Sequence, residues 1–591
     1  MATVTAPLDP PTEAASADEP GRRTGWAVPA FDRLTLGVAP AARSRGEGPL
    51  WLLVGAMSSI ALTWPLAAHL RTRVPQGTAD PLVQAWIIAW GGRGLRDRGP
   101  ELFDANAFFP ASNSLAFGDS LLGYAPTALI GSGPGAALLR YNLLVLFAFA
   151  LLFAAGTLLG RELGLSIPSA AVAGAAAGFT PTRIDQMNHL NVLSTGGIVL
   201  TVFLLLSGYR RRRTWQVLAG WAVAIWQISL GFAMGIWFCY LLALLAAICM
   251  TGWLLRGRRR LPKNMVVSTA AGAAAFLLFV GVLVQPYLDV IRMNPNALRS
   301  LSEVQFFSPP LRGLLIAPME SRLWGPPMAE LRGTLNWINE QCMFPGVLAV
   351  ALGVLGLRWR GISRAFRVAL AVGTLVTLAL SFGVRLQGGL LYRPLFELLP
   401  GWNGIRTPGR LDAFWSVGLA LLAGMGAERG LQLVRARAAR MQSAGAAVVL
   451  LLAVGVGVEG SVNATLEPVR PAPREVTALA GPLAFFPSDF YRDPLYMHWS
   501  TTSFPKIVNG AGSYDPPSLA QLRSLTSFPD AGSVAVLRAL QVRHVVLDEV
   551  TAPGSSWANS GAREIAGLGI TRRDVGDVIV FDLGTTEAPA S

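Results

Sequence analysis

The chain has 591 residues, 52% of them hydrophobic and only 14% charged, whereas a globular protein carries about a quarter charged residues. Its net charge of +14 comes in arginine tufts between apolar runs with no continuous basic face, which excludes a nucleic-acid binder. The three cysteines, Cys239, Cys249 and Cys342, fit neither a disulfide framework nor a zinc-ligand spacing and read as bland buried thiols in or beside apolar segments.

In chain order, residues 1–49 hold Pro, Ala, acids and scattered Arg without an apolar run, which reads as a disordered cytoplasmic leader and not a cleavable signal. Residues 50–459 form the membrane domain. Apolar segments predict spans at about 50–70, 141–160, 168–182, 191–208, 214–230, 232–254, 265–286, 343–357, 365–383, 411–427 and 443–459, about eleven in all. Basic tufts at Arg210–Arg213, Arg256–Arg260, Arg358–Arg364 and Arg435–Arg440 belong inside by the positive-inside bias. With the leader also inside, every tuft falls on one side, and the odd count puts the C-terminal domain outside. Ser120–Leu139 is apolar, but counting it as a span would put Arg210–Arg213 on the wrong side. Its Pro and repeated Gly also resist a regular helix, so it reads as a re-entrant or interfacial piece. The expected outer loops are 71–140, 287–342 and 384–410.

The outer side collects the polar residues of interest. Asp80 precedes Pro81 and a stretch in which Trp86 and Trp90 share a helical face, the pattern of a helix lying in the membrane interface with its aromatics at headgroup depth. A carboxylate there can act as a base on a polar reactant whose lipid partner stays in the bilayer. An Asp-Pro pair also fits an ordinary cap and first turn. Asp119 is a second outer acid, a supporting acid or a cap. "GFTPTRIDQMNHLNVLS" carries Arg183, Asp185, His189 and Asn191. Outer Arg suits a phosphate, or it snorkels, or it pairs with Asp185. "LPGWNGIRTPGRLDAFW" places Arg406 and Arg410 around a Thr-Pro-Gly turn, with Asp412 able to pair with one of them.

Residues 460–591 change in composition and read as a small α/β extracytoplasmic domain able to bury its own core. "GPLAFF" and "RHVVLD" look like buried strands, "DVIVFDL" like a late edge strand, and "SLAQLRSLTSF" and "SVAVLRALQV" like helices. His498, Trp499, Lys506, Asn509 and Tyr514 fall in a Gly/Pro-rich stretch. They form either a sugar-binding surface or a loop packed on the domain body.

The order of these features resembles the GT-C superfamily of polytopic membrane glycosyltransferases, especially bacterial members with a C-terminal extracytoplasmic domain. The likeness lies in "GTADPLVQAW", "FFPASNSLAFGDSLLGYAP", "AGFTPTRIDQMNHLNVLSTGGIVL", "LPGWNGIRTPGR", "YMHWSTTSFPKIVNGAGSYDPPS" and "LRALQVRHVVLD". The resemblance implies sugar transfer from a polyprenyl-phosphate donor to a glycan, lipid or protein acceptor, on the outer face of a bacterial inner membrane. It maps the family's catalytic base onto Asp80. Arg183, His189, Arg406 and Arg410 would meet the donor phosphate, and His498, Trp499, Asn509 and Tyr514 the acceptor. Members often pair two acids in the first loop, but Asp80 is followed by Pro81, so no metal and no other cofactor is expected. The alternatives are a non-catalytic protein of lipid-linked glycan assembly or transport, and a secondary transporter. The spans lack the paired midplane acids or inverted repeat that a transporter would show.

Overall fold

The computed structural model describes residues 40–44, 46–97, 101–255, 262–294, 297–437 and 442–584. Most of the expected leader, all of the Arg256–Arg260 tuft and the end of the Arg435–Arg440 tuft lie outside the described residues.

Each of the expected apolar segments contains a helix. The longer ones are α1 (Glu47–Leu62), α2 (Ala79–Asp97), α3 (Pro134–Glu162), α4 (Ile167–Gly178), α5 (Gly196–Arg211), α6 (Thr214–Ile228), α7 (Phe232–Leu255) and α8 (Lys263–Met293). They continue with α9 (Val347–Gly356), α10 (Arg364–Ser381), α11 (Asp412–Arg437) and α12 (Gln442–Glu459). Six stretches among the described residues are long and apolar enough to cross a membrane by length and composition, while α1, α4, α9 and α12 are apolar but shorter. Cys249 faces outward from α7, Cys239 is half-buried and only Cys342 is buried. The expected burial of all three thiols is therefore corrected.

Small residues bring these helices together. α4 reads "IPSAAVAGAAAG" and is buried from Ser169 onward; a Cβ on its Gly174 would stand 2.0 Å from Thr157 Oγ1 of α3. Close backbone approach gives the van der Waals contact that drives helix association where no water is displaced. Three helix starts are capped by carboxylates from elsewhere, which satisfy orphan amides and face the positive end of the dipole. Glu459 accepts the amides of Val347 (3.0 Å) and Leu348 (2.9 Å) at α9. Glu428 accepts that of Ser166 (2.9 Å), before α4. Asp119 accepts those of Phe232 and Ala233 at α7.

At one end of the bundle the start of α1 meets the ends of α3 and α5. Buried Glu162 is held there by Arg43 (3.0 Å), Arg210 (3.5 Å) and Arg211 (3.2 Å), and Arg161 pairs with Glu47 (2.9 Å). The first basic tuft is therefore partly an internal ion-pair cluster.

At the other end lie the irregular connections. Leu122–Leu129 forms a short 3-10 helix packed under α2, and α3 begins at Pro134. The tryptophans of α2 point into protein and not outward from the molecule, which corrects the expectation that they form an exposed interfacial stripe. Trp86 is buried and donates to Asn106 Oδ1 (2.9 Å); Trp90 donates to the Leu102 carbonyl (2.8 Å) and its ring meets Phe504 at 5.5 Å. The following loop, and at Trp90 also the C-terminal domain, packs against these rings, so their amphipathic character serves packing with one polar bond each.

That domain has a four-stranded sheet ordered β3 (Leu483–Phe486), β4 (His544–Asp548), β6 (Val578–Asp582), β5 (Thr571–Val575), with β3 and β4 parallel and the other pairs antiparallel. The crossover from β3 to β4 carries α13 (Asp493–Trp499), α14 (Pro517–Ser524) and α15 (Ala531–Ala539). The expected edge strand "DVIVFDL" is interior; the edge is β5, whose "TRRDV" is charged and exposed, as an unpaired edge tolerates. A further pair, β1 (Arg73–Pro75) with β2 (Leu466–Pro468), ties the segment between α1 and α2 to the start of this domain. The loop is stitched on again where Phe108 and Phe109 donate to the carbonyls of Asn509 and Ile507, and Ser513 donates to that of Phe117.

Candidate functional site

A cavity of about 250 Å³ lies between this end of the bundle and the C-terminal domain. Asp80, Asp119, His189, Arg406 and Arg410 line it, and Tyr514 lines it from the C-terminal domain.

Asp80 sits in the first turn of α2. Among the described residues its carboxylate accepts no amide of its own helix; its partner is His189, with Nε2 at 3.4 Å from Oδ2. The loop carrying His189 is held in place by α2 and the segment before it. Gln76 Nε2 donates to the Ile184 carbonyl (3.2 Å) and Gln84 Nε2 to that of Asn188 (3.1 Å), while Gln76 Oε1 accepts the Asn188 amide (3.1 Å). Tyr141 of α3 also donates to the Asn188 carbonyl (3.1 Å). Two glutamines thus fix the register between the acid and the imidazole. The Asp80 side chain is 43% exposed, so water in the cavity reaches it. Burial works to raise its pKa, but the His189 charge and hydrogen bond, then Arg410 and Arg406, outweigh it and hold the carboxyl below its usual value.

The arginines have partners that the sequence did not reveal. Arg410 forks onto Glu340, with Nε at 3.0 and 3.1 Å from the two oxygens. Arg406 and Arg299 both reach Glu303 Oε1 at 3.2 Å. Two guanidinium groups on one carboxylate leave an excess of positive charge on that wall. Arg299 lines the cavity as well and donates to the Ser513 carbonyl (2.8 Å), so it also touches the C-terminal domain. Asp119 faces the cavity while its oxygens are taken up by the Asn191 amide and the start of α7.

Four predicted site residues lie elsewhere. Arg183 is fully buried, donates to Thr195 Oγ1 (2.8 Å) and the Ala413 carbonyl (3.2 Å), and has Asp412 as its charged neighbour. It does not pair with Asp185. His498, Trp499 and Asn509 are interior to the C-terminal domain. Asn509 bridges Phe485 of β3 and Asp493; Trp499 donates to the Arg470 carbonyl (3.1 Å) beneath the Arg470 guanidinium. Burial lowers His498 to about 3, so it is neutral at ordinary pH. Lys506 stands over the Phe109 ring. Among the described residues no group of three or more His, Cys, Asp or Glu is placed to hold a metal ion.

Six stretches among the described residues could cross a membrane by length and composition, and the fold as a whole is similar to that of a known membrane glycosyltransferase. In shape the chain is similar to the cryo-EM structure of the arabinofuranosyltransferase AftD from Mycobacteria, with a TM-score of 0.53 and 13% identity over 94% of this chain and 41% of that one. A mutant of the same enzyme aligns with a TM-score of 0.52 and 16% identity over 93% and 42%. The oligosaccharyltransferase AglB from Archaeoglobus fulgidus, in complex with an inhibitory peptide and a dolichol-phosphate, aligns more loosely, with a TM-score of 0.45 and 12% identity over 92% and 75%. The fold assignment rests on the AftD pair, less than half of whose length this chain spans. No family model matches the sequence, and no curated protein matches it.

Proposed function

We propose that the chain is a membrane glycosyltransferase that moves a sugar from a polyprenyl-phosphate donor to a glycan, lipid or protein acceptor on the extracytoplasmic face of a bacterial inner membrane. The observation that carries this reading is that Asp80, a carboxyl group held below its usual pKa by its neighbours, and the cations Arg406 and Arg410 line one cavity. Asp80 takes the proton of the acceptor hydroxyl as that oxygen bonds to the anomeric carbon. The carbon–oxygen bond to the lipid phosphate breaks with its electron pair leaving on the phosphate, and the configuration at carbon inverts. Arg406, Arg410 and His189 meet the charge that the leaving phosphate gains, in a setting where preorganised donors count for more than in water. His189 also holds Asp80 in position. Arg183, enclosed away from the cavity, braces the loop against the start of α11.

The test is Asp80→Asn, which keeps shape and removes the base. Sugar incorporation should fall by about 100-fold or more, the contribution of a general base, with expression and membrane insertion unchanged. Full incorporation in that variant would remove Asp80 as the base and favour a non-catalytic role in lipid-linked glycan assembly. Deleting the protein and weighing glycolipids and surface glycans by mass spectrometry names the donor, since its lipid-linked sugar accumulates.

A further inference from the structure

The wall that the C-terminal domain gives to the cavity differs in chemistry from the bundle wall. Past Glu459, three large apolar side chains are strongly exposed among the described residues: Phe490, Tyr491 and Val550. Two of them are adjacent aromatics, and Phe490 lines the same cavity as Asp80. Phe490 is 41% and Tyr491 69% exposed, with ring centroids 5.5 Å apart and planes perpendicular. They are not on a loose loop. Asp489 Oδ1 accepts the amides of Tyr491 and Arg492 at 2.9 Å each, and Asp489 and Arg492 are ion-paired. Behind the turn, buried Asp493 is bonded by Ser488, Asn509 and Arg523. A rigid turn thus presents two flat apolar faces flanked by a planar carboxylate and a planar guanidinium.

We infer that this turn is the acceptor platform and that the acceptor is a saccharide. A sugar ring has an apolar C–H face, which lies flat on an aromatic ring, and equatorial hydroxyls, which reach planar polar groups at the ring's edge. Phe490 and Tyr491 supply the first and Asp489 and Arg492 the second. Aromatic side chains held by a turn lose little freedom on binding. The turn adjoins the cavity, so a saccharide stacked on Phe490 extends a hydroxyl toward Asp80. The inference rests on the transferase reading for the acceptor's role, but the binding itself does not need catalysis. Of the residues expected from the sequence to meet the acceptor, Tyr514 lines the cavity, while His498, Trp499 and Asn509 are interior, with Asn509 bonded to Asp493 behind the turn.

The test is binding of the detergent-solubilised full chain to a printed array of bacterial envelope oligosaccharides. The wild type should bind at least one glycan class, and Phe490→Ala with Tyr491→Ala should weaken that signal by about tenfold or more. Phe490→Tyr, which keeps the ring, should restore most of it in the presence of Tyr491. Val550→Ala serves as the control for losing an exposed apolar group, and unchanged thermal unfolding of each variant shows that the fold is intact. Equal binding by wild type and double variant overturns the inference, as does a wild type that binds no glycan. A loss confined to phosphatidylglycerol nanodiscs and absent in detergent assigns the pair to the lipid surface and overturns it too. Glycan binding without any sugar transfer by the wild type, in contrast, sinks the transferase reading and leaves the platform standing.

Discussion

The charge of Asp80 is decided by its neighbours more than by its burial. Burial alone would favour the neutral acid, yet the His189 contact and the more distant Arg410 and Arg406 turn the balance toward the carboxylate. A base already ionised across the neutral range gives a level rate there, so transfer should stay flat from about pH 8 down to about pH 5, above the ordinary Asp value near 4. An acidic limb near neutrality in the pH–rate profile would contradict that assignment. His189→Gln keeps a polar group but removes the contact that most lowers the Asp80 pKa, so the limb should move to higher pH. The stability sign follows the same direction. A depressed folded pKa adds stability above the unfolded-state value, which is lost as pH falls through the folded value. At this scale the sequence was legible only in part. Asp80, His189, Arg406 and Arg410 stand out in sequence as charged or polar residues between apolar runs, and the structure brings all four to one cavity. Facing cannot be inferred that way: Arg183 and His189 share one short loop, but only His189 reaches the cavity. Arg299, Glu303 and Glu340 carry no spacing signal, because they sit among short turns of helix after α8. An ion pair across 103 residues, as between Arg406 and Glu303, leaves no trace in local pattern.

Among elements, hydropathy located the helices well because burial in lipid and burial in protein both demand apolar side chains. It failed where a helix is covered by another domain. The tryptophans of α2 have the composition of an interfacial stripe, but their polar bonds go to Asn106 and Leu102 of the following loop and the Trp90 ring meets Phe504 of the C-terminal domain. β5 was missed for the reverse reason: its exposed "TRRDV" has no apolar alternation to read. Helix contacts, by comparison, depend on glycine positions that can be tested singly. α9 and α11 run side by side, with Gly356 and Gly426 at their closest approach. A Cβ on Gly426 would fall 1.9 Å from the Leu352 carbonyl oxygen, whereas one on Gly430, a turn later on α11, meets nothing within 4 Å. Gly426→Ala must therefore splay the pair and should cost about 2–3 kcal/mol. Gly430→Ala should be neutral or gain up to about 1 kcal/mol from helix propensity. Thermal unfolding in detergent separates the two, and equal melting temperatures would mean that the close contact does not exist.

In the whole molecule, the site is assembled across a domain boundary. Asp80 lies at the start of a helix whose other side is held by the C-terminal domain, and the cavity has walls from both. Asn106 is the residue that joins them most directly. It is buried, its Oδ1 accepts from Trp86 of α2 (2.9 Å), and its Nδ2 donates to Ser500 Oγ (3.0 Å) and the Pro505 carbonyl (2.8 Å). The adjoining backbone continues the join, with Ile507 donating to the Asn106 carbonyl and Phe108 to that of Asn509. Asn106→Ala leaves the buried Trp86 N–H without this partner, at about 1–3 kcal/mol, and removes the bonds to Ser500 and to the part-buried Pro505 carbonyl. The larger consequence is geometric. Loosening α2 against the domain lets Asp80 drift relative to a saccharide seated on the C-terminal wall, and a displacement of about 1 Å at a reacting group costs on the order of 100-fold in rate. Asn106→Ala should therefore lower kcat strongly while glycan binding at Phe490 and Tyr491 persists, and hydrogen exchange should rise at both α2 and 505–509. A variant with normal kcat and unchanged exchange would show that the two domains hold Asp80 independently of this contact.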